Sequence, residues 1–372
     1  MAFLQNERRT LERFLPGLDG FLARTPLSDM ERPGNPALPA FRQHGGPGLL
    51  IPAAYGGSGA TALEAVQAQR AIGSRAPSLA VATTMHHFSV AGLVHLAGRG
   101  PGLEAVLLGQ IAAERMYVAS GVAEGRSGAG MLSSAMSVRR RGGDLLISGS
   151  KKPCSLSKSM HLLTASVILP ADGPHGGELA FVTIPADAPG IERRPFWKSP
   201  ALAGAESDEV ILRDVAVAAD WVTYLDAEGM LVQVGLLWFE LLISATYLGI
   251  ASGLAERVLA SKRGSASERV QVALELESAM AALEGIARAM DSGAEVNDTL
   301  ARMLLVRYAV QNALERATAR SFELLGGLAF IGGEEVALLH AAASALALHP
   351  PSRLSTVGAL DGYLGGAPFV LE

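Results

Sequence analysis

The sequence predicts a mainly α, α+β chain in three successive parts: an N-terminal helical domain (1–115), a middle antiparallel β-domain (116–226) and a C-terminal four-helix bundle (227–372). Three changes of texture carry this expectation. From Leu4 to Arg24, and again from Ala62 to Leu108, apolar residues recur at three- and four-residue steps, the spacing of one helix face. The Pro/Gly-rich stretch Pro33 to Gly59 interrupts them. Between Met116 and about Leu225 the runs YVASGVA, AMSVRR, DLLISGS, LLTASVILP, LAFVTIP and DEVILRDVAV are short, rich in β-formers and separated by Gly, Pro and Asp. After Ala227 come long Ala/Leu-rich segments with few breakers, at 230–261, 267–292, 297–325 and 333–347, which suit a bundle of long helices.

Bulk properties narrow the function classes. At 372 residues the chain is too long for one small core. Apolar residues are 49% of it and charged residues 18%, so apolar faces are expected to remain for partner subunits, giving a homo-oligomer, dimer or tetramer. A net charge of -5 without a dense Lys/Arg stripe argues against nucleic acid. Cys154 is the only cysteine, which excludes an intramolecular disulfide and a cysteine-based zinc site. No metal is expected, and a reducing cytoplasm fits. The charged N-terminal segment lacks the unbroken apolar run of a signal peptide. Met230 to Ala255 is nearly apolar and about long enough to span a bilayer, yet Gln233 and Glu240 interrupt it and no second such segment is expected. A buried bundle helix, with no membrane, is the expectation.

Four segments carry a family resemblance. IPAAYGGSG (Ile51 to Gly59) resembles a P-x-x-Y-G-G-x-G turn, and SGVAEGRSGAG (Ser120 to Gly130) sits where a T-E-P-x-x-G-S-D loop belongs. LLISGSKKPCSLS (Leu145 to Ser157) takes the place of I-x-G-x-K-x-W-I-T-N, and FELLGGLAFIGG (Phe322 to Gly333) that of Q-x-x-G-G-x-G-Y. In order and spacing these resemble the acyl-CoA dehydrogenase superfamily over nearly the whole chain. The resemblance implies a flavin, FAD or FMN. It makes Val122, Gly128, Ala129, Ser155, Gly326 and Gly327 its candidate contacts, with Ser155 in the place of the hydroxyl near flavin N5. Glycines there would let backbone N–H groups approach a polar ligand.

The departures are as informative. The superfamily's glutamate base after R-D-A is missing; its place falls near Leu348 to Pro350. The chain is similar instead to the two-component reduced-flavin monooxygenase branch, of the dibenzothiophene monooxygenase and 4-hydroxyphenylacetate hydroxylase type. Its K-x-F-C-S strand resembles Lys151-Lys152-Pro153-Cys154-Ser155, and its C-terminal His/Pro pair resembles His349-Pro350. His86 and His87 lie where that branch brings a helical-domain histidine to the flavin. Neutral His and Ser groups could hold and later shuttle the proton of a C4a-hydroperoxyflavin. Each also has a structural reading: a core histidine bonded to a carbonyl for His86 or His87, a helix-end cap for His349, a turn-capping serine for Ser155.

The resemblance thus implies a flavin-dependent monooxygenase that takes diffusible reduced flavin from a separate reductase, uses O2, and hydroxylates a small molecule or a carrier-bound intermediate. An acyl-thioester dehydrogenase or oxidase remains open. Its base would be Glu240, a lone carboxylate in an apolar helix, whose structural reading is a partner for an arginine. A non-catalytic flavin-binding homologue is the third reading. The adenosine-reaching R-x-x-F-G survives only as Lys262-Arg263-Gly264-Ser265, which leaves Arg263 as the candidate there. The absence of G-x-G-x-x-G argues against NAD(P)H binding by this chain.

Overall fold

The computed structural model describes residues 2–100, 102–125, 133–172, 175–225 and 229–370. Seven helices come first: α1 (Gln5–Phe14), α2 (Leu18–Arg24), α3 (Leu27–Met30), α4 (Ala37–Gln43), α5 (Ala62–Arg75), α6 (Pro77–Ala97) and α7 (Leu103–Glu114). Strands follow: β1 (Val118–Gly121), β2 (Ser137–Arg141), β3 (Asp144–Cys154), β4 (Leu162–Ile168), β5 (Leu179–Pro185), β6 (Ile191–Arg194), β7 (Asp208–Ala218) and β8 (Val222–Tyr224). The chain closes with α8 (Met230–Ser261), α9 (Ala266–Asp291), α10 (Val296–Ile331), α11 (Glu335–Ala343) and α12 (Arg353–Leu364). A 3₁₀ turn, Ser344–Leu348, joins the last two.

Local chemistry sets the helix starts. Thr61 with Glu64 opens α5, and Ser265 with Glu268 opens α9, each pair forming a reciprocal capping box that satisfies two backbone donors. Pro77 occupies the first turn of α6, where its missing N–H costs nothing. The Leu4–Arg24 pattern is two helices rather than one, because the chain turns at Gly17, whose φ is 86°. A left-handed φ of that size suits glycine.

The strands form two four-stranded sheets, ordered β1-β4-β5-β8 and β2-β3-β7-β6. Pairing is antiparallel except that β1 runs parallel to β4, with Val118 opposite Leu162. Alternation puts Val210 and Leu212 of β7 inside, and after an irregularity at Asp214 (φ 50°) Val215 and Val217. The edge strands β6 and β8 escape sequence reading because one is short and charged and the other is only three residues long. The pairing of β3 with β7 slips between Lys151 and Cys154, an irregularity that bends the strand just before Ser155.

Helix α8 is the axis. Every residue from Phe239 to Ala255 is buried, against α5, α6, α9, α10 and α11, so helices from both ends of the sequence share one core. Among the described residues, two helices are long and apolar enough to cross a membrane. Besides α8 there is α6, which corrects the expectation of a single such segment; the apolar windows are 83% and 67% buried inside the fold. The missed signal in α6 is its lack of Asp, Glu, Lys and Arg, masked by its Thr, Ser and His residues.

Where α5 crosses α8 the backbones touch. A Cβ on Gly73 would lie 2.5 Å from the Thr246 carbonyl oxygen, and one on Gly253 2.7 Å from that of Ser74, while Gly249 faces the Arg70 carbonyl. Only hydrogen fits at these positions. Gly249→Val is therefore expected to cost about 3 kcal/mol, and Gly249→Ala less, through overpacking. Paired thermal melts of the variants and the parent measure this; equal midpoints would show that the crossing can spread freely.

Candidate functional site

The two central motif segments meet. Lys152 N–H donates to the Ala123 carbonyl at 2.8 Å, and the Glu124 backbone bridges that of Lys152. Lys151, fully buried, places Nζ 2.7 Å from Glu124 Oε1 and 2.8 Å from the Ser166 carbonyl. Burial pushes the Lys151 ammonium below its ordinary value, while Glu124 resists that shift. Glu124 also accepts from Ser134 Oγ and the Ala135 N–H, so it ties down both flanks of the glycine-rich loop. Val122 sits half-buried beside this anchor. Gly128 and Ala129 lie outside the described residues.

Ser155 follows directly, 8% exposed, with Oγ 2.9 Å from Ser207 Oγ. Around this hydroxyl pair three non-glycine residues hold left-handed backbones: Leu156 (φ 63°), Leu202 (φ 63°) and Glu206 (φ 55°). Each costs roughly 1–2 kcal/mol and persists only where its surroundings fix it. They do so here. Leu156 N–H donates to the Ala205 carbonyl and Ser157 Oγ to that of Glu206, while Leu202 N–H donates to buried Glu31. Glu31 also accepts the N–H and Oγ–H of Ser78, so it clips the 202–207 loop to the start of α6; burial pushes its carboxyl up to about 7, against those hydrogen bonds. Cys154, one residue before Ser155, is fully buried, and its thiol is pushed up to about 12 for that reason.

The two adjacent histidines of α6 have different surroundings. His86 Nε2 donates to the Pro47 carbonyl at 2.9 Å, and Nδ1 accepts the Val118 N–H at 3.0 Å, which fixes the tautomer and spends both nitrogens. It joins α6 to β1. Burial pushes its basicity down to about 4. His87 is 1% exposed, packed at 5.9 Å from the Phe41 ring, and among the described residues neither of its nitrogens has a hydrogen-bond partner. Burial holds it well below the ordinary imidazole range.

His349 lies beyond the 3₁₀ turn, Nε2 2.8 Å from the Tyr247 hydroxyl and its ring edge-on to Phe239 at 6.0 Å. Burial first, then the Arg307 charge, push it down to about 4. Glu240, the candidate relocated base, is 0% exposed with Oε2 3.1 Å from Arg307 Nε, an ion pair in which neither carboxylate oxygen gains an aligned hydrogen bond. Its structural reading, a partner for an arginine, fits this geometry, in which the carboxyl lies against a buried guanidinium. Burial raises it to about 8, Arg307 opposing.

Of the remaining candidates, Arg263 is exposed just past the end of α8, and Gly326 (φ 75°) with Gly327 interrupts α10. Among the described residues no hydrogen bond or ion pair joins these to Ser155 or His349. Sequence reading missed Tyr247, Ser207, Glu31 and Arg307. Arg307 had a signal: it is a lone charge in the apolar run MLLVRYAV, as Glu240 is in its own helix, and two such charges of opposite sign predict each other.

The donor set fits a flavin's ring edge. Ser155 and Ser207 can donate or accept, and the orphaned His87 and neutral His349 add no charge.

Glu240 yields a pH prediction. Its folded value of about 8 exceeds the ordinary 4.5, so its stabilising contribution is complete below about 4.5 and lost as pH rises through 8. Glu240→Gln should therefore gain in melting temperature relative to the parent as pH is raised across that window. A constant offset between the two would place the carboxyl elsewhere.

No family model matches the chain. It is 44% identical over 376 residues, covering 99% of each protein, to an isobutylamine N-hydroxylase of Streptomyces viridifaciens. Among solved structures it superposes on FMN-bound TdsC, a dibenzothiophene monooxygenase from Paenibacillus sp. A11-2, with TM-score 0.81 and 19% identity, covering 99% of this chain and 98% of that one. A nitrososynthase from Micromonospora carbonacea var. africana gives TM-score 0.82 and 20% identity, covering 98% and 99%. With that architecture and that sequence likeness, the chain belongs to the isobutylamine N-hydroxylase family of flavin-dependent monooxygenases, built on the acyl-CoA dehydrogenase fold.

Proposed function

We propose that this chain N-hydroxylates a small aliphatic primary amine. The single observation that carries the reading is the 44% identity, end to end, with an amine N-hydroxylase. In the overall reaction the amine, O2 and reduced flavin give the hydroxylamine, water and oxidised flavin: one oxygen atom forms the N–O bond, the other leaves as water, and the flavin supplies two electrons. Bound reduced flavin supplies the oxygen-activating chemistry. A separate reductase would deliver it as FMN or FAD.

The chain's own residues would do the rest. Ser155, paired with Ser207, holds the flavin edge, with Val122 as a further contact. An amine attacks oxygen only through a free lone pair, yet in water an alkylamine is protonated below a pKa of roughly 10. Apolar surroundings such as Phe88 and Phe239 favour the neutral amine, because desolvation penalises the ammonium. His349 and His87, held neutral by burial, can hydrogen-bond at the flavin without placing a charge there. Glu240, committed to Arg307, supplies no anion that would hold the substrate as ammonium.

A homo-oligomer completes the reading. Leu328, Ile331, Leu348 and Leu354 are each at least 80% exposed on the C-terminal helices, more apolar surface than a lone chain leaves in water. Light scattering should give at least a dimer.

The test of function is the protein with a flavin reductase, NAD(P)H, O2 and isobutylamine, the product read as hydroxylamine by mass spectrometry. His349→Ala and Ser155→Ala should each lower hydroxylamine formation by about 10²-fold and release hydrogen peroxide instead. Glu240→Gln should keep most of the activity. No hydroxylamine from any of a panel of C3–C6 alkylamines would overturn the substrate class.

A further inference from the structure

Arg307 lies near the middle of α10, 1% exposed, and its guanidinium does not face solvent or a surface carboxylate. Nη1 donates to the Pro351 carbonyl at 2.7 Å; Nη2 donates to the carbonyls of Leu346 at 3.1 Å and His349 at 2.6 Å. All three acceptors belong to the short segment that ends the 3₁₀ turn. The Leu346 carbonyl also accepts the His349 N–H at 3.2 Å, whereas the two residues after His349 are prolines, which have no N–H to offer a neighbour. Arg307 therefore supplies donors where the segment needs them, and its planar fork spans carbonyls that a point charge could not. The His349 ring, fixed at its backbone in this way, reaches Tyr247 Oη on α8.

We propose that Arg307 is a positioning residue for His349: it grips the Leu346–Pro351 segment from α10, so that the imidazole is delivered against Tyr247 in one orientation. This rests on the reading that His349 hydrogen-bonds at the flavin. Glu240 sits on the far side of the guanidinium, at Nε, and leaves the terminal nitrogens free for the carbonyls. The titratable or charged groups that act on the ring are Tyr247 from α8 and Arg307 from α10, with Glu240 of α8 against the Arg307 Nε; Glu31, from the end of α3, acts on the Tyr247 hydroxyl. A cation lodged under the His349 carbonyl also disfavours protonation of the ring, which keeps the imidazole a neutral acceptor.

Two variants test the grip. Arg307→Lys keeps the charge and removes the fork. The double variant Glu240→Leu/Arg307→Met replaces the buried pair with apolar side chains of similar size, a change that, for an ion pair without further acceptors, commonly leaves stability unimpaired. Both are compared with the parent by thermal melting, by steady-state hydroxylation of isobutylamine, and by NMR titration of ring-labelled histidine with the His349 signal identified from His349→Gln. In both variants the expected result is a cooperative melt, lowered because buried carbonyls lose a donor, a kcat lowered by about 10–100-fold with KM within about threefold, and more peroxide per turnover, since a displacement near 1 Å can cost about 10² in rate. In the double variant the His349 titration should also move to higher pH.

If both variants fold and His349 titrates and turns over as in the parent, Arg307 is merely structural and the proposal falls. If His349→Gln itself works at the parental rate, the role of His349 falls, and with it the functional part of the proposal; the ring titration then still decides whether Arg307 holds the segment. Should the double variant fail to fold, Arg307→Lys with an unaltered kcat, KM and peroxide yield overturns the proposal alone.

Discussion

Helix α8 has no polar face, and the chain is arranged to hide it. A helix apolar on every side must be surrounded, and here it is surrounded by helices from both ends of the sequence, α5 and α6 on one side and α9, α10 and α11 on the other. This is why the first and last helical parts share a core instead of folding as separate bodies. The tightest constraint is the glycine contact of α5 with α8, where dispersion between touching backbones replaces side-chain packing. Every residue of interest on α8, including Phe239, Glu240 and Tyr247, takes its direction from that crossing.

Such an interior is a poor place for charge, and the charges that occur there are organised. Glu31 gathers two N–H groups and a hydroxyl, Lys151 has Glu124 and Ser166, and Arg307 has three carbonyls and Glu240. In each case a buried ionisable group joins segments far apart in sequence: α3 to α6 and the 202–207 loop, the glycine-rich loop to β3, α10 to the turn before α12. Their hydrogen bonds have direction, which apolar packing lacks, so they fix the loops that bear Ser155 and His349 more narrowly than the core alone would. The left-handed residues Leu156, Leu202 and Glu206 lie at one of these junctions, where the local backbone cost is met by contacts from two sides.

The order of elements was legible because period and breakers are local properties. The long helices after residue 229 and six of the eight strands can be read from Ala/Leu runs and Gly or Pro punctuation, and the motif segments around Val122 and Ser155 pointed to a flavin fold through resemblance. What stayed hidden depends on partners distant in the chain. Nothing near His86 announces that Pro47 and Val118 will take both its nitrogens, nor that its neighbour His87 will be left with none. Sequence placed Glu240 correctly as an isolated buried carboxylate but could not choose between base and ion pair, since the choice turns on Arg307, sixty-seven positions away. Tyr247 had no distinguishing context at all; only the packing of α8 against the 3₁₀ turn gives its hydroxyl a function.

The depth of Cys154 bears on durability. Chemistry with reduced flavin and oxygen leaks hydrogen peroxide whenever substrate is absent, and the form of cysteine that peroxide attacks is the thiolate. The one sulfhydryl of this chain stands next to the serine assigned to the cofactor, yet burial keeps it protonated, with its ionisation pushed up to about 12, and out of solvent. A protein that generates its own oxidant thus keeps its most oxidisable atom in the least reactive state, and oxidative wear must begin at more accessible sulfur, the thioethers of its partly buried methionines.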